Sequence, residues 1–252
     1  MRHQILADLI AMSRHLGEPE RDYVILGEGN TSAQIDADSF WVKASGTELN
    51  GIDADGFVQV RFEPILAMLE GPDLSDEEIR RVLGEAKADP DAPGHPSVET
   101  AVHAVCLSLH GVNFVGHTHP TAINSITCST AFEAAYAGRL FPDEIVLCGP
   151  AALLVPYVDP GLSLARAVRR HIDDYLDRFG EPPKTIMLQN HGLFALGSSA
   201  AQVEKVTAMA VKAARVLIGA YALGGPHFMS REAVERIHTR SDEDYRRRVM
   251  AR

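Results

Sequence analysis

The chain has 252 residues, 46% apolar and 23% charged, a balance that suits a soluble globular protein able to bury a core without staples. Its net charge of −10 excludes a broad nucleic-acid surface, which needs a basic stripe to neutralise phosphates; only a local basic pocket for a small anion is left open. No apolar run approaches the ~20 residues of a membrane span. The three cysteines, Cys106, Cys128 and Cys148, sit singly among apolar neighbours. They read as small buried hydrophobes rather than as a disulfide framework.

Residues 2–16 carry apolar side chains at helical spacing, an amphipathic helix rather than a signal peptide, so the expected location is the cytoplasm. "YVILGEGNTSAQID" rises as a short strand, breaks at Gly27 and Gly29, and resumes with polar alternation. "SFWVKASGTEL" and "GFVQVRF" give two more strands, the first ending in a Ser-Gly turn. Helices are expected over 62–70 and 76–88, a Pro-rich turn at "KADPDAPGHPS", and a strongly apolar helix over 97–110. "GVNFVGHTHP" is strand-like, and "PTAINSITCS" and "AFEAAYAG" are helical. "EIVLCG" reads as a strand, "SLARAVRRHIDDYLDRF" as an amphipathic helix, and "KTIMLQNHGLFALG" as two strands joined at Asn190-His191-Gly192. A long helix over 199–223 repeats apolar residues from Val203 to Tyr221 at helical period, and a charged tail begins near 230. Short strand connections favour a mixed or antiparallel sheet with helices, in one domain spanning 1–252.

The stretch "FVGHTHPTA" raises the chemical question, because it places His117 and His119 one residue apart after an apolar run. On a strand, side chains at i and i+2 share a face. Two imidazoles facing one space cannot both be charged cheaply, and sharing a metal ion removes the conflict; separate bonds to backbone groups are the plain alternative. His191 stands at a strand break between Asn190 and Gly192, where it can face a cleft. Glu99 lies in the first turn of the helix that precedes the histidine pair, where the helix dipole favours a carboxylate. Three nitrogens with a nearby carboxylate suit zinc at an open catalytic site. A cupin is disfavoured because "TAINS", after the pair, holds no glutamate; a barrel amidohydrolase is disfavoured because the pair falls mid-chain.

Four stretches taken in order, "GEGNTS", "KASGTEL", "PSVET" with "GHTHP", and "QNHGLFALG", resemble the class II aldolase/adducin family. The resemblance runs from about residue 24 to 224. It implies a three-layer α/β/α sandwich around a mostly antiparallel sheet, and a homotetramer with sites between subunits. It also implies a zinc ion on His117, His119 and His191, with Glu99 as proton-transfer group and as a further resting-state ligand. Manganese, iron or cobalt would also suit the nitrogen ligands. Phosphate-binding residues of the family map onto Gly29, Asn30, Ser45, Gly46 and Ser97. Val98 stands where the family commonly has a second serine, which removes one hydroxyl donor. Tyr136, or Tyr245 in the tail, is the candidate second acid. The implied activity is cleavage of a ketose, first of all a ketose 1-phosphate, to an enediolate-derived fragment such as dihydroxyacetone phosphate and an aldehyde. A decarboxylase, epimerase or dehydratase of the family, an aldolase acting on a non-phosphorylated keto acid, and an adducin-like scaffold are the alternatives. The long Glu99 favours the aldolase branch over epimerases, which tend to carry aspartate there.

Overall fold

The structure is a computed structural model that describes residues 2–240. The chain opens with α1 (Arg2–Leu16), which buries Leu9, Met12 and Leu16 along one face. Three strands follow: β1 (Asn30–Gln34), β2 (Ser39–Lys43) and β3 (Phe57–Arg61). The strand expected at Tyr23–Leu26 does not form. Leu26 takes a left-handed φ of 52°, Ile25 and Leu26 are exposed, and the ladder begins only after Gly29, at φ 67°. That segment instead lies beside the chain leaving the histidine pair, where the Tyr23 carbonyl accepts the His119 N–H at 2.8 Å.

Next come α2 (Phe62–Glu70) and α3 (Asp76–Glu85). Ser75 and Glu78 form a reciprocal capping box that starts α3. The helix stops short of residue 88 because the chain turns back onto β3. There Ala86 accepts from the Arg61 N–H, and the Ala88 N–H donates to Gln59. The apolar helix α4 (Thr100–Leu107) is buried along its whole length. After it run β4 (Phe114–Thr118), α5 (Thr121–Thr127), α6 (Phe132–Ala135) and α7 (Pro142–Cys148).

The "EIVLCG" stretch therefore lies in α7 and is not a strand. A short apolar run has no decisive period. Here Pro142 in the first turn, Asp143 and Glu144 beside it, and Gly149 at φ 75° after it supply helix boundaries. The strand lies a few residues on, as β5 (Leu153–Val155). The chain continues through α8 (Leu162–Phe179), β6 (Thr185–Leu188), β7 (Gly192–Gly197), α9 (Ala200–Ala222) and α10 (Arg231–His238). Tyr245 lies outside the described residues. Cys106 and Cys148 are buried as expected, whereas Cys128, just past the end of α5, is exposed. Among the described residues no helix is long and apolar enough to cross a membrane.

The seven strands form one sheet in the order β3-β2-β1-β4-β7-β6-β5. Every pairing is antiparallel except β5 with β6, which α8 joins as a crossover. Alternation sends Val115, Phe194 and Leu196 to the layer of α2, α3, α4 and α8. It sends Phe114, Leu193 and Ala195 to the layer of α1, α5, α6 and α9. The result is the expected three-layer sandwich, with an apolar core on each side of the sheet. Gly116 lets the second layer close: a Cβ there would lie 2.8 Å from Val203 and 3.0 Å from Leu16.

One buried ion pair holds α7 in place. Arg139 donates to Glu144 at 2.9 Å and to the carbonyls of Gly149 and Cys148, and Glu144 also accepts the Leu140 N–H. Both side chains are almost fully enclosed. Arg139→Met leaves Glu144 charged, buried and unpaired, and is expected to cost about 3–5 kcal/mol of stability in urea unfolding. An unchanged midpoint would show that the pair contributes nothing net.

Candidate metal centre

The centre is built where β4, the β6–β7 turn and the start of α4 meet. His117 pairs across the ladder with Asn30 on one side and Phe194 on the other. Its ring stacks on Phe194 with centroids 4.0 Å apart and planes 13° off parallel. Its Nδ1–H donates to the Leu193 carbonyl at 3.0 Å, which turns the Nε2 lone pair inward. His119 lies just past the strand end. His191 sits in the tight turn between β6 and β7, where Asn190 supplies a left-handed φ of 55° that asparagine tolerates.

The three rings converge. His117 Nε2 is 3.0 Å from His119 Nε2 and 3.3 Å from His191 Nε2, and the three ligand atoms all lie within 4.8 Å of one another. Tetrahedral zinc with bonds of about 2.0–2.1 Å separates its ligands by roughly 3.3 Å. Nitrogen atoms of a fully buried ring and two partly buried rings at such spacing fit a divalent ion. Glu99 approaches the same point from the head of α4, with Oε1 3.1 Å from His191 Nε2 and 3.6 Å from His117 Nε2. The room for this packing comes from Gly192. A Cβ there would lie 2.6 Å from the Thr118 carbonyl and 2.7 Å from His119 Cδ2.

Electrostatics agrees with the geometry. Burial pushes the Glu99 carboxyl up, but charge and hydrogen bonds from His117, then His191, overcome it and hold the group well below the usual carboxylate range. Glu99 is thus a carboxylate at rest. Burial, with His117 and His191 adding to it, lowers His119 to about 3, so its ring is neutral and able to ligate.

The residues expected to hold phosphate lie nearby. A Gly29 Cβ would lie 2.6 Å from the His117 carbonyl, so the backbone itself approaches there. The Ser45 N–H donates to His95, and Ala44 bridges to Pro96, which brings the Ser45-Gly46 turn against Ser97. The Ser97 hydroxyl is buried without a partner among the described residues. Val98 beside it is exposed. Asn30 faces Glu99, donating to Oε2 at 2.5 Å. Lys43, which reads from sequence equally well as an exposed strand charge, is buried, with Nζ bonded to the Thr47 carbonyl. Burial lowers its pKa and the charge of Glu99 raises it. His119 also lines a cleft of ≈ 260 Å³ that includes Asp22, Glu28, Thr121 and Asn124. Tyr136 is not brought to the histidines. It packs on Phe132 in the opposite layer, and burial first, then Glu144, raises its hydroxyl far above the usual value.

This fold and this cluster define a class of α/β/α sandwich with a histidine metal site. The chain belongs to the class II aldolase and adducin N-terminal domain family, whose model matches residues 7–218. The oxidoreductase YuxG of Bacillus subtilis (strain 168), itself uncharacterised, is 28% identical over 200 residues, which are 76% of this chain and 26% of YuxG. The chain thus spans about a quarter of that relative's length. The N-terminal class II aldolase domain of a conserved Thermoplasma acidophilum protein superposes with a TM-score of 0.66 at 29% identity, covering 84% of this chain and 93% of that one. L-fuculose-1-phosphate aldolase from Thermus thermophilus shares the fold, with a TM-score of 0.62 at 17% identity and coverage of 90% and 100%.

Gly192→Ala is expected to weaken binding of a divalent metal about 10–100-fold, as disturbed support of a ligand does, in competition with a chromophoric chelator. Unchanged affinity would mean that the turn does not shape the site. In the metal-free protein, His103 and His119 both sit near 3 against an ordinary 6.5, so below about 6.5 only the unfolded chain binds their protons. Their contribution is present in full above that value and is lost as pH falls. Urea midpoints should drop between pH 6.5 and 5, before carboxylates dominate; a flat profile in that window would contradict the assignment.

Proposed function

We propose that the protein is a zinc-dependent aldolase that reversibly cleaves a ketose, first of all a ketose 1-phosphate. The observation that carries this reading is Glu99 Oε1 standing over three converging imidazole nitrogens, 3.1 Å from His191 Nε2. A carboxylate in that position can transfer a proton at a substrate carbon beside the ion. A scaffold has no use for a buried carboxylate facing a histidine cluster.

His117, His119 and His191 would hold a divalent ion, which would supply Lewis-acid polarisation of the substrate carbonyl. The chain's own residues do the rest. Glu99 Oε1 takes a proton from the carbon next to that carbonyl in the direction of synthesis. In cleavage the bond to the next carbon breaks, the electron pair stays beside the carbonyl, and Glu99 returns the proton. The proton of the hydroxyl that becomes the aldehyde passes to a second acid–base group. Tyr136 of the same chain does not supply it, since its hydroxyl is enclosed in the other layer.

The phosphate reading is supported by the backbone at Gly29, the Ser45-Gly46 turn, the unpartnered Ser97 hydroxyl and buried Lys43 nearby. Val98 favours a second reading, in which a smaller carboxylate heads the substrate: one donor fewer costs about 1.5–3 kcal/mol, which a phosphate feels most. We also read the protein as a homo-oligomer. Val216, Ile218, Tyr221 and Leu223 are exposed along the end of α9, a fitting apolar contact between copies.

Glu99→Gln is expected to keep zinc and lose turnover by about 10²–10⁴-fold, the usual span for a general acid–base group. His117→Ala is expected to lose both. A panel of ketose 1-phosphates and 2-keto acids, assayed for aldehyde and for carbon dioxide, separates aldol cleavage from decarboxylation. Full turnover by Glu99→Gln on the accepted substrate would end this reading.

A further inference from the structure

The single histidine of α4 lies outside the metal cluster, and it is completely enclosed. His103 stands one helical turn after Glu99. Its Nδ1 is 2.6 Å from the Ser32 hydroxyl, and its Nε2 makes a short contact with Asn30 Oδ1. Asn30 in turn bonds Glu99 Oε2. Ser32 and Asn30 project from β1 on the face that meets α4, since Thr31 between them points the other way, to Ser13 of α1. Four polar side chains thus form one file through an otherwise apolar contact between helix and sheet.

The direction of every bond follows from the carboxylate. Oε2 of a charged Glu99 can only accept, so Asn30 must turn its Nδ2 toward it. Asn30 Oδ1 then faces His103 and requires Nε2–H. Nδ1 of the neutral ring is left as an acceptor for the Ser32 O–H. Burial, with His117 and Lys43 adding to it, lowers His103 to about 3, which is consistent with a neutral ring. A reversed Asn30 would set its carbonyl against Oε2 and leave His103 facing an N–H.

We propose that Ser32, His103 and Asn30 act as a positioning relay that divides the two oxygens of Glu99, locking Oε2 by a donated bond and keeping Oε1 as the one oxygen free to exchange a proton over the metal site. This rests on the proton-transfer role of Glu99 proposed above. The file has no obvious value as packing. Apolar residues of similar volume could fill the space between α4 and β1 without burying three polar groups, often at no loss of stability. The relay also revises the expectation for Asn30. Its amide oxygen and one amide hydrogen are already engaged, so a single N–H is left for a substrate.

The first test needs no substrate. Zinc-loaded protein labelled with 15N-histidine is expected to show His103 as the Nε2–H tautomer near neutral pH, with a signal that moves in Glu99→Gln. The Nδ1–H tautomer, or a signal indifferent to Glu99→Gln, overturns the relay. The second test follows exchange of the carbon-bound hydrogens of dihydroxyacetone phosphate with deuterated water. His103→Leu is expected to slow exchange about a hundredfold at saturation, as a small misplacement does, with half-saturation and zinc affinity held. His103→Gln, which restores an N–H toward Asn30, is expected to recover most of it. An undiminished rate in His103→Leu, a loss that His103→Gln shares, or a loss that tracks zinc affinity would overturn the proposal. Exchange that persists in Glu99→Gln, or is absent from the native protein, counts against the proposed function instead, and the tautomer still decides the relay.

Discussion

The centre depends on a close approach of two backbones, the end of β4 and the turn entering β7, with no side chain between them. Gly192 makes it possible, since any Cβ there would strike the Thr118 carbonyl and the His119 ring. Once the strands are that close, the β4–β7 register sets His117 over Phe194 and gives its Nδ1 the Leu193 carbonyl. The same turn delivers His191 from the far side. The two apolar layers serve this junction by clamping the middle of the sheet on both faces, and β1, β4 and β7 sit side by side at its centre.

The order of strands and helices was mostly legible, because long segments with a clear period, such as those of α1, α8 and α9, state their own structure. Two short apolar runs did not. "YVIL" has the letters of a strand but finds no ladder partner, and "EIVLCG" is too short for a period to tell helix from strand. Its boundary residues, Pro142 and Gly149, carried the signal that the apolar letters hid. The pair His117 and His119 was legible as a pair. The two-residue period explains only the first ring, since β4 ends at Thr118 and His119 turns inward through its backbone bond to Tyr23.

The surroundings of Glu99 were much less legible, for a physical reason. Asn30 lies 69 residues from Glu99 and 73 from His103 in sequence, and no local pattern reports a contact of that range. Asn30 read as a substrate residue of a glycine turn, yet the structure turns its amide onto the carboxylate. Lys43 was equally ambiguous, because a lysine on a short strand is exposed far more often than enclosed. Sequence suggests the ions and the hydrogen-bonding groups; only the packing of α4 on β1 decides which of them meet.

A chain with ten net negative charges thus gathers three imidazoles, one buried lysine and one carboxylate around a small volume. The converging rings fit a divalent cation at the point where they meet. X-ray absorption at the zinc edge of the loaded protein measures this directly. The account predicts one zinc per chain with three imidazole nitrogens at about 2.0–2.1 Å and their outer-ring scattering. A shell of oxygens alone, without imidazole scattering, would contradict it.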